Sequence, residues 1–251
     1  MEVELDGERR TLAGFENHGG RTRLGPGAQP LGRVLRARCE WRGLGFELSA
    51  SGIEEALDPD AADLFYIGGG QDRDQRRCAL DLAEVKREGL HVAAARGAAL
   101  LAVCGGYQLL GHSYEMGDET LPGAGLVDLR TIRSDGPRLI GNVAIEVELD
   151  HGERRVLAGF ENHGGRSRLG PGEQPLGRVL RGHGNDGVSG FEGVRRGNVI
   201  GTYLHGPLLP KNVWLADWLI ARALGRDEPL APLDDALEAA AHAEARMAAG
   251  V

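Results

Sequence analysis

The sequence predicts an α/β fold of three layers, in which a mostly parallel sheet is flanked by helices. Residues 63–67 and 98–103 are short apolar segments with the length of buried strands, and each is followed by glycine. Residues 75–96, which lie between them, have a largely helical pattern. Because parallel strands need a long crossover connection, this alternation of buried strands and helices favours a parallel sheet.

The remaining elements continue the same alternation. Residues 46–48, 138–145 and 198–203 are predicted strands. Residues 212–223 have apolar side chains at helical spacing, so this helix should close the domain. From Gly225 the chain is polar and then rich in alanine, which indicates a peripheral helix or a frayed tail.

Length and composition exclude several classes of protein. The chain of 251 residues suits one α/β domain with appendages, and its net charge of -8 argues against nucleic acid as a partner. No apolar segment approaches the ~20 residues of a membrane helix and no signal-peptide pattern is present, so we expect no membrane insertion and a cytoplasmic location. The three cysteines lack the spacing of a zinc site, so we expect no metal.

One segment of the chain is duplicated. Residues 2–36 recur at 146–181 with one inserted residue, His151, and three substitutions. Solenoid repeats are adjacent and diverged, whereas these two copies are distant and nearly identical. The second copy has strand-like sequence on both sides, so we expect this copy to lie in its native setting.

Cys104 is the candidate nucleophile. It follows the apolar segment 98–103 and precedes Gly105 and Gly106. A strand, a tight turn and a helix present the turn residue at the carboxyl edge of a parallel sheet, and the helix N-terminus favours a thiolate there. A cysteine after a buried strand is more often a structural thiol, but the glycine turn favours the catalytic interpretation.

His205 is the candidate general base. A thiol with a pKa near ~8.5 is mostly protonated at neutral pH, so a catalytic cysteine usually has a histidine within hydrogen-bond reach. His205 lies at the end of the predicted strand 198–203, at the same sheet edge as Cys104. A histidine that only caps its strand is the alternative, and the pairing with Cys104 favours catalysis.

A glycine-rich turn follows the strand 63–67. Consecutive glycines expose backbone N–H groups, which can stabilise the negative oxygen of a tetrahedral intermediate. Phosphate binding is the rival use, but no Lys-Ser/Thr pair follows as in a P-loop. We predict an oxyanion hole that combines an N–H near Gly69 or Gly70 with that of Gly105.

Five motifs in this order make the sequence similar to a known family. They are IGGGQD (67–72), AVCGGYQLLG (102–111), RLIGN (138–142), GFENHGGRSRLGPG (159–172) and GTYLHGPLLPKN (201–212). Over residues 39–224 the chain resembles the class I glutamine amidotransferases, whose fold is flavodoxin-like, in the branch related to cobyric acid synthase. The likeness is closest to the GatD-type glutaminase subunits of lipid II isoglutaminyl synthase.

The resemblance implies a role for each motif residue. The nucleophile falls on Cys104 and the general base on His205. Arg138 takes the position of the arginine that binds substrate glutamine, where a guanidinium can bind the α-carboxylate in bidentate fashion. A family loop near the active site or the partner surface contains Asn162, His163 and Gly164.

The implied reaction is hydrolysis of L-glutamine to glutamate and ammonia. In the family the ammonia passes to a MurT-type ligase, which forms a heterodimer with the glutaminase, binds ATP and Mg²⁺, and amidates the D-glutamate of the lipid II stem peptide in peptidoglycan synthesis. The resemblance therefore implies no cofactor in this chain and contact with lipid II only through the partner. Two alternatives stay open, an amidotransferase of cobyrinate or cobyric acid synthesis and an inactive relative that acts only as a binding subunit.

The chain departs from the family pattern in two places. Many class I enzymes carry an orienting glutamate two residues after the histidine, and here that residue is Pro207. The family's first strand and loop are replaced by the duplicated segment, so the predicted organisation is a segment at 1–37, an amidotransferase domain at 38–224 and an Ala-rich tail at 225–251. Whether residues 1–5 supply the missing strand is left open.

Overall fold

The structure is a computed structural model. It describes residues 49–70, 74–150, 152–226 and 230–251 in full, and the backbone of residues 72–73 and of five strands between residues 2 and 47. The strands are β1 (Glu2–Leu5), β2 (Glu8–Thr11), β3 (Gly32–Arg33), β4 (Arg38–Trp41), β5 (Leu44–Glu47), β6 (Leu64–Ile67), β7 (Ala99–Val103), β8 (Ser113–Met116), β9 (Glu119–Pro122), β10 (Leu129–Arg133), β11 (Leu139–Glu148), β12 (Arg154–His163), β13 (Gly165–Leu169), β14 (Gly177–Arg181), β15 (Phe191–Glu192), β16 (Val194–Arg196) and β17 (Val199–Thr202). The helices are α1 (Asp72–Leu80), α2 (Arg87–Ala95), α3 (Gly105–Leu110), α4 (Leu208–Lys211), α5 (Val213–Ala223) and α6 (Ala236–Ala249), with a π-helical turn (Asp81–Val85) between α1 and α2.

The central sheet has the strand order β16-β17-β7-β6, in which β6, β7 and β17 are parallel and β16 is antiparallel. Strand β7 is buried along its whole length. Leu100 and Ala102 pack into the core beneath α1 and α2, whereas Leu101 and Val103 pack on the side of α5 and β11. Because β7 is covered on both faces, its sequence is continuously apolar. The predicted three-layer α/β fold is confirmed.

Two further four-stranded sheets were not predicted, and both are largely antiparallel. Their strand orders are β12-β11-β14-β15 and β13-β10-β8-β9. In the first, β11 and β12 pair over their full lengths, from Leu139 opposite His163 to Glu148 opposite Arg154. The sequence indicated the start of β11 but not its hairpin partner. This hairpin brings residues from the second repeat copy towards the central sheet.

The two repeat copies share one pattern of strand pairing. Glu2 pairs with Thr11 as Glu146 pairs with Val156, and Val3 pairs with Gly32 as Val147 pairs with Gly177. In the first copy these strands form a separate sheet of order β2-β1-β3, so β1 pairs there and not with the central sheet. The rest of the first copy lies outside the described residues, and the predicted domain boundaries stay predictions.

The chain ends in a helix and not in a frayed tail. None of the residues of α6 is buried, but the helix is held to the body of the protein at two points. Asn142 Nδ2 donates to the carbonyl of Ala248 (3.0 Å), and His242 Nδ1 lies 2.8 Å from the carbonyl of Lys211. Among the residues that the structure describes, no helix has both the length and the apolar character needed to cross a membrane.

Substitution of Gly106 tests how closely α3 packs against the central sheet. A methyl group at this position would lie 2.3 Å from the carbonyl oxygen of Ile67. We therefore expect Gly106→Ala to lower the free energy of unfolding by about 2 kcal/mol or more in urea denaturation, although alanine is the better helix former. The control is Gly70→Ala, because no atom lies within 4 Å of a methyl group there. Equal urea midpoints for the two variants would contradict the packing.

Candidate active site

Cys104 occupies the turn between β7 and α3. Its backbone angles are φ 54° and ψ -109°, a conformation that residues other than glycine rarely adopt. Such strain costs about 1–3 kcal/mol and concentrates at functional sites. The Cys104 carbonyl accepts the N–H of Gln108 (3.1 Å), which begins the helix, and the Cys104 N–H donates to the carbonyl of Thr202 (2.8 Å). The elbow is thereby fixed to the end of β17.

The three glycines predicted for the oxyanion hole lie against this elbow. A methyl group on Gly69 would be 3.1 Å from Cβ of Cys104, and one on Gly105 would be 3.2 Å from the backbone nitrogen of Gly70. Larger residues at Gly69 and Gly105 would therefore crowd the elbow. The backbone nitrogen of Gly70 thus lies near Gly105, next to Cys104, and the oxyanion hole at these glycines stays a prediction.

His205 lies three residues beyond the end of β17. Its backbone forms an antiparallel bridge with Phe160 of β12, with N···O distances of 2.9 and 3.1 Å, and the two rings meet edge to face. Nδ1 of His205 is 2.7 Å from the carbonyl oxygen of Tyr203. Because a carbonyl can only accept, Nδ1 carries the proton in the neutral ring. The lone pair is therefore on Nε2, as a general base requires.

Arg138 is exposed and is held by Asn162. Its Nε donates to Oδ1 of Asn162 (2.8 Å) and its Nη2 to the carbonyl of the same residue (2.9 Å). Nη1 lies 3.6 Å from where a methyl group on Gly164 would be. Asn162 thus fixes the plane of the guanidinium and leaves the Nη1 side for a carboxylate. Since Asn162 is two residues from Phe160, one strand connects Arg138 with His205.

The predicted loop at Asn162, His163 and Gly164 has a different form in the structure. Asn162 and His163 are the last residues of β12, and Gly164 is a one-residue bend before β13. The His163 side chain is 1% exposed, and its ring stacks on that of Tyr203 with centroids 3.5 Å apart. His163 is therefore a packing residue beneath the site. It is held there because β12 pairs with β11 as far as this residue.

Sequence reasoning missed a buried carboxyl group next to β17. Glu192 is 0% exposed, and its oxygens accept the N–H of Tyr203 (2.6 Å) and the hydroxyl of Thr202 (3.0 and 3.1 Å). Burial, with a smaller contribution from the charge of Glu161, raises the pKa of Glu192 to about 8 despite these hydrogen bonds. No motif signals this glutamate, since its strand β15 has only two residues.

A second buried polar chain supports α3. Gln75 Nε2 donates to Oε1 of Gln108 (2.6 Å), and Gln108 Nε2 donates to the hydroxyl of Tyr203 (3.2 Å). The Tyr203 hydroxyl is also 2.7 Å from Oγ of Ser167, which is 2.7 Å from Oγ1 of Thr131. Every member of this chain has a partner, so the polar groups are buried without the cost of an unpaired donor.

Comparison with known proteins agrees with this fold and identifies the family. Residues 34–213 match the model of the CobB/CobQ-like glutamine amidotransferase domain. That match covers more than half of the chain and includes the cysteine elbow, the glycine turn, the arginine and the histidine. The chain therefore belongs to the family of CobB/CobQ-like glutamine amidotransferases.

Individual relatives are similar over most of their length. The GatD subunit of lipid II isoglutaminyl synthase from Staphylococcus aureus is 39% identical over 77% of this chain and 76% of its own. The corresponding subunit from Streptococcus pneumoniae is 35% identical over 81% of this chain and 79% of its own. A chain in the solved structure of PurLQS from Thermotoga maritima has a TM-score of 0.52 at 21% identity, and the match covers 72% of this chain and 84% of that one, which shows the fold alone.

Arg138 gives a prediction about substrate affinity. If its guanidinium binds the α-carboxylate of glutamine in the ground state and in the transition state alike, Arg138→Ala should raise the KM for glutamine about tenfold or more and change kcat little. Asn162→Ala should raise KM by a smaller factor, because it only frees the guanidinium to turn. Steady-state glutamate release measures both effects.

The control is Arg130→Ala, which removes an exposed arginine on β10. This variant should keep the KM of the unmodified protein. A loss confined to kcat in Arg138→Ala would rule out a carboxylate-binding role.

Proposed function

We propose that this chain is the glutamine-hydrolysing subunit of a lipid II isoglutaminyl synthase. The observation that carries the proposal is the strained Cys104 elbow, which is hydrogen-bonded to the end of β17, the strand that leads to His205. The Tyr203 carbonyl supports the role of His205, because it selects the tautomer whose Nε2 can take a proton. The GatD relatives named above support the particular synthase.

The chemistry begins when Nε2 of His205 takes the proton of the Cys104 thiol, which leaves a thiolate. The thiolate attacks the side-chain amide carbon of glutamine, and the amide oxygen becomes negative in the tetrahedral intermediate. The N–H groups of Gly70 and Gly105 stabilise that oxygen. When the C–N bond breaks, His205 gives its proton to the departing ammonia, and a γ-glutamyl thioester remains on Cys104. His205 then takes a proton from water, which attacks the thioester and releases glutamate.

Arg138 selects the substrate in this proposal. Its guanidinium binds the α-carboxylate of glutamine in a geometry that Asn162 fixes. The reacting amide is at the other end of the substrate. Anchoring the carboxylate therefore sets how far the amide reaches towards Cys104, so other amides bind less well.

The ammonia is used by a second protein. The proposed partner is a MurT-type ligase that binds ATP and Mg²⁺ and amidates the D-glutamate of the lipid II stem peptide. The partner would form a heterodimer with this chain on the cytoplasmic side of the membrane, and lipid II would meet only the ligase. The names of the two GatD relatives support this arrangement, since each is described as a subunit.

The first test is glutamate release by the purified protein. We expect hydrolysis of glutamine by the unmodified chain and a loss of at least about 1,000-fold in Cys104→Ala, because no other group can carry the acyl intermediate. Cys78→Ala is the matched control, since Cys78 is a free cysteine on α1. Equal background release by the unmodified chain and Cys104→Ala would favour an inactive binding subunit.

The second test concerns the partner. Co-expression with a MurT-type ligase should give a stable complex, and the complex should amidate lipid II with glutamine as nitrogen donor. Cys104→Ala should keep the complex but allow amidation only with added ammonia. Amidation of a cobyrinate, with no stable complex with the ligase, would support the alternative in cobyric acid synthesis.

A further inference from the structure

The carbonyl that binds His205 is itself part of a hydrogen-bonded chain. The Tyr203 carbonyl accepts from Nδ1 of His205 (2.7 Å), and the same peptide group carries the N–H of Leu204. This N–H donates to Oγ1 of Thr202 (3.0 Å). The Thr202 hydroxyl donates in turn to the carboxyl group of Glu192 (3.0 and 3.1 Å). The chain runs from the histidine to a buried acid through one peptide group and one hydroxyl.

We propose that Glu192 is a positioning residue that orients and polarises His205 through Thr202 and the peptide group between Tyr203 and Leu204. The inference rests on the proposed role of His205 as general base. Many class I enzymes orient the histidine with a glutamate two residues after it, where this chain has Pro207. The side chain of Pro207 cannot accept a hydrogen bond, so Glu192 would take over the orienting role.

Once Glu192 is ionised, the direction of every hydrogen bond in this chain is fixed. A carbonyl only accepts and an N–H only donates, so Nδ1 of His205 and the N–H of Leu204 are both donors. An ionised Glu192 can only accept, so in that state the hydroxyl hydrogen of Thr202 points to Glu192. Hydrogen bonds in such a series polarise one another, and negative charge on Glu192 strengthens the carbonyl as an acceptor for the imidazole. The effect at His205 is to favour the Nδ1–H tautomer and to stabilise the imidazolium.

Burial makes this hydrogen-bonded chain from His205 to Glu192, here called the relay, both strong and rigid. Glu192, Thr202 and Leu204 are each at most 1% exposed, so water does not screen the interaction. Glu192 also accepts the N–H of Tyr203 (2.6 Å), which holds the segment from both sides of the peptide group. A carboxyl group in this position costs stability unless it is hydrogen-bonded, and its hydrogen-bond partners among the described residues all belong to the segment that leads to His205.

The charge on Glu192 depends on its surroundings. The titratable groups that face it are Glu161 on β12 and Tyr107 on α3, and His205 lies beyond the relay. Because burial raises the pKa of Glu192 to about 8, the carboxyl group gains its charge as pH rises through that value. Its polarising effect on His205 should therefore grow from pH 6 to pH 9.

Thr202 provides the sharpest variants. Thr202→Val removes the hydroxyl and keeps the shape, whereas Thr202→Ser keeps the hydroxyl. Nitrogen-15 NMR of the imidazole at pH 9, where Glu192 is ionised, should show a smaller share of the Nδ1–H tautomer of His205 in Thr202→Val and its recovery in Thr202→Ser, with the signals assigned by comparison with His205→Gln. This measurement needs no turnover, so it tests the relay even if the protein releases no glutamate.

Kinetics provide the second readout. Thr202→Val should lower kcat about tenfold, the lower range for removing the partner that orients a functional histidine, while KM changes little. In Glu192→Gln the ratio of kcat to that of the unmodified chain should fall as pH rises from 6 to 9. Glu148→Gln, which changes an exposed glutamate on β11, should keep the normal pH profile.

The outcomes separate the two proposals. An unchanged His205 tautomer in both Thr202→Val and Glu192→Gln would overturn the relay, whatever the glutaminase result. Loss of activity at all pH values by one factor, with no rescue by Thr202→Ser, would also overturn it, because that is the effect of a structural residue alone. Should Thr202→Val fail to fold, Glu192→Gln carries the NMR test. Failure of the proposed function appears separately, as equal release by the unmodified chain and Cys104→Ala.

Discussion

The parallel pairing of β7 with β17 is the constraint on which the site depends. The pairing places Val103 opposite Thr202 and continues into the hydrogen bond from the Cys104 N–H to the Thr202 carbonyl. Both strands therefore end at one edge, and the nucleophile and the base follow within three residues of these ends. A slip of one residue in this register would turn every side chain of β17 to the opposite face. The apolar packing of both faces of β7 resists such a slip.

Polar groups beneath this edge make the arrangement specific as well as stable. Glu161 and Glu192 are both fully buried, and their oxygens accept hydrogen bonds from backbone N–H groups, at His183 and Gly184 for the first and at Tyr203 for the second. Burying a carboxyl group is unfavourable unless its partners are in place. Competing arrangements of the segments around β17 would leave these groups unpaired, so the network favours the single arrangement that also presents His205.

The sequence was informative where local pattern determines position. The apolar strands before Cys104 and His205, and the glycine turn at Gly69 and Gly70, could be recognised because each element shows its own periodicity and ending. Glu192 could not, since its burial depends on the pairing of a two-residue strand with β14. The antiparallel hairpin of β11 and β12 was missed for a related reason: strand pairing between distant segments leaves no signal in either segment alone.

The duplicated segment shows that the site depends on contacts between distant parts of the chain. Both copies have the same strand register, because the alternation of side chains and the short connection between the first two strands determine it. The contacts that the second copy makes at the site depend on residues outside the repeat. Phe160 bridges His205, and Asn162 binds Arg138, and neither partner belongs to the copied sequence. A copied hairpin therefore reproduces the scaffold without the chemistry, which arises only where the hairpin meets the carboxyl edge of the central sheet.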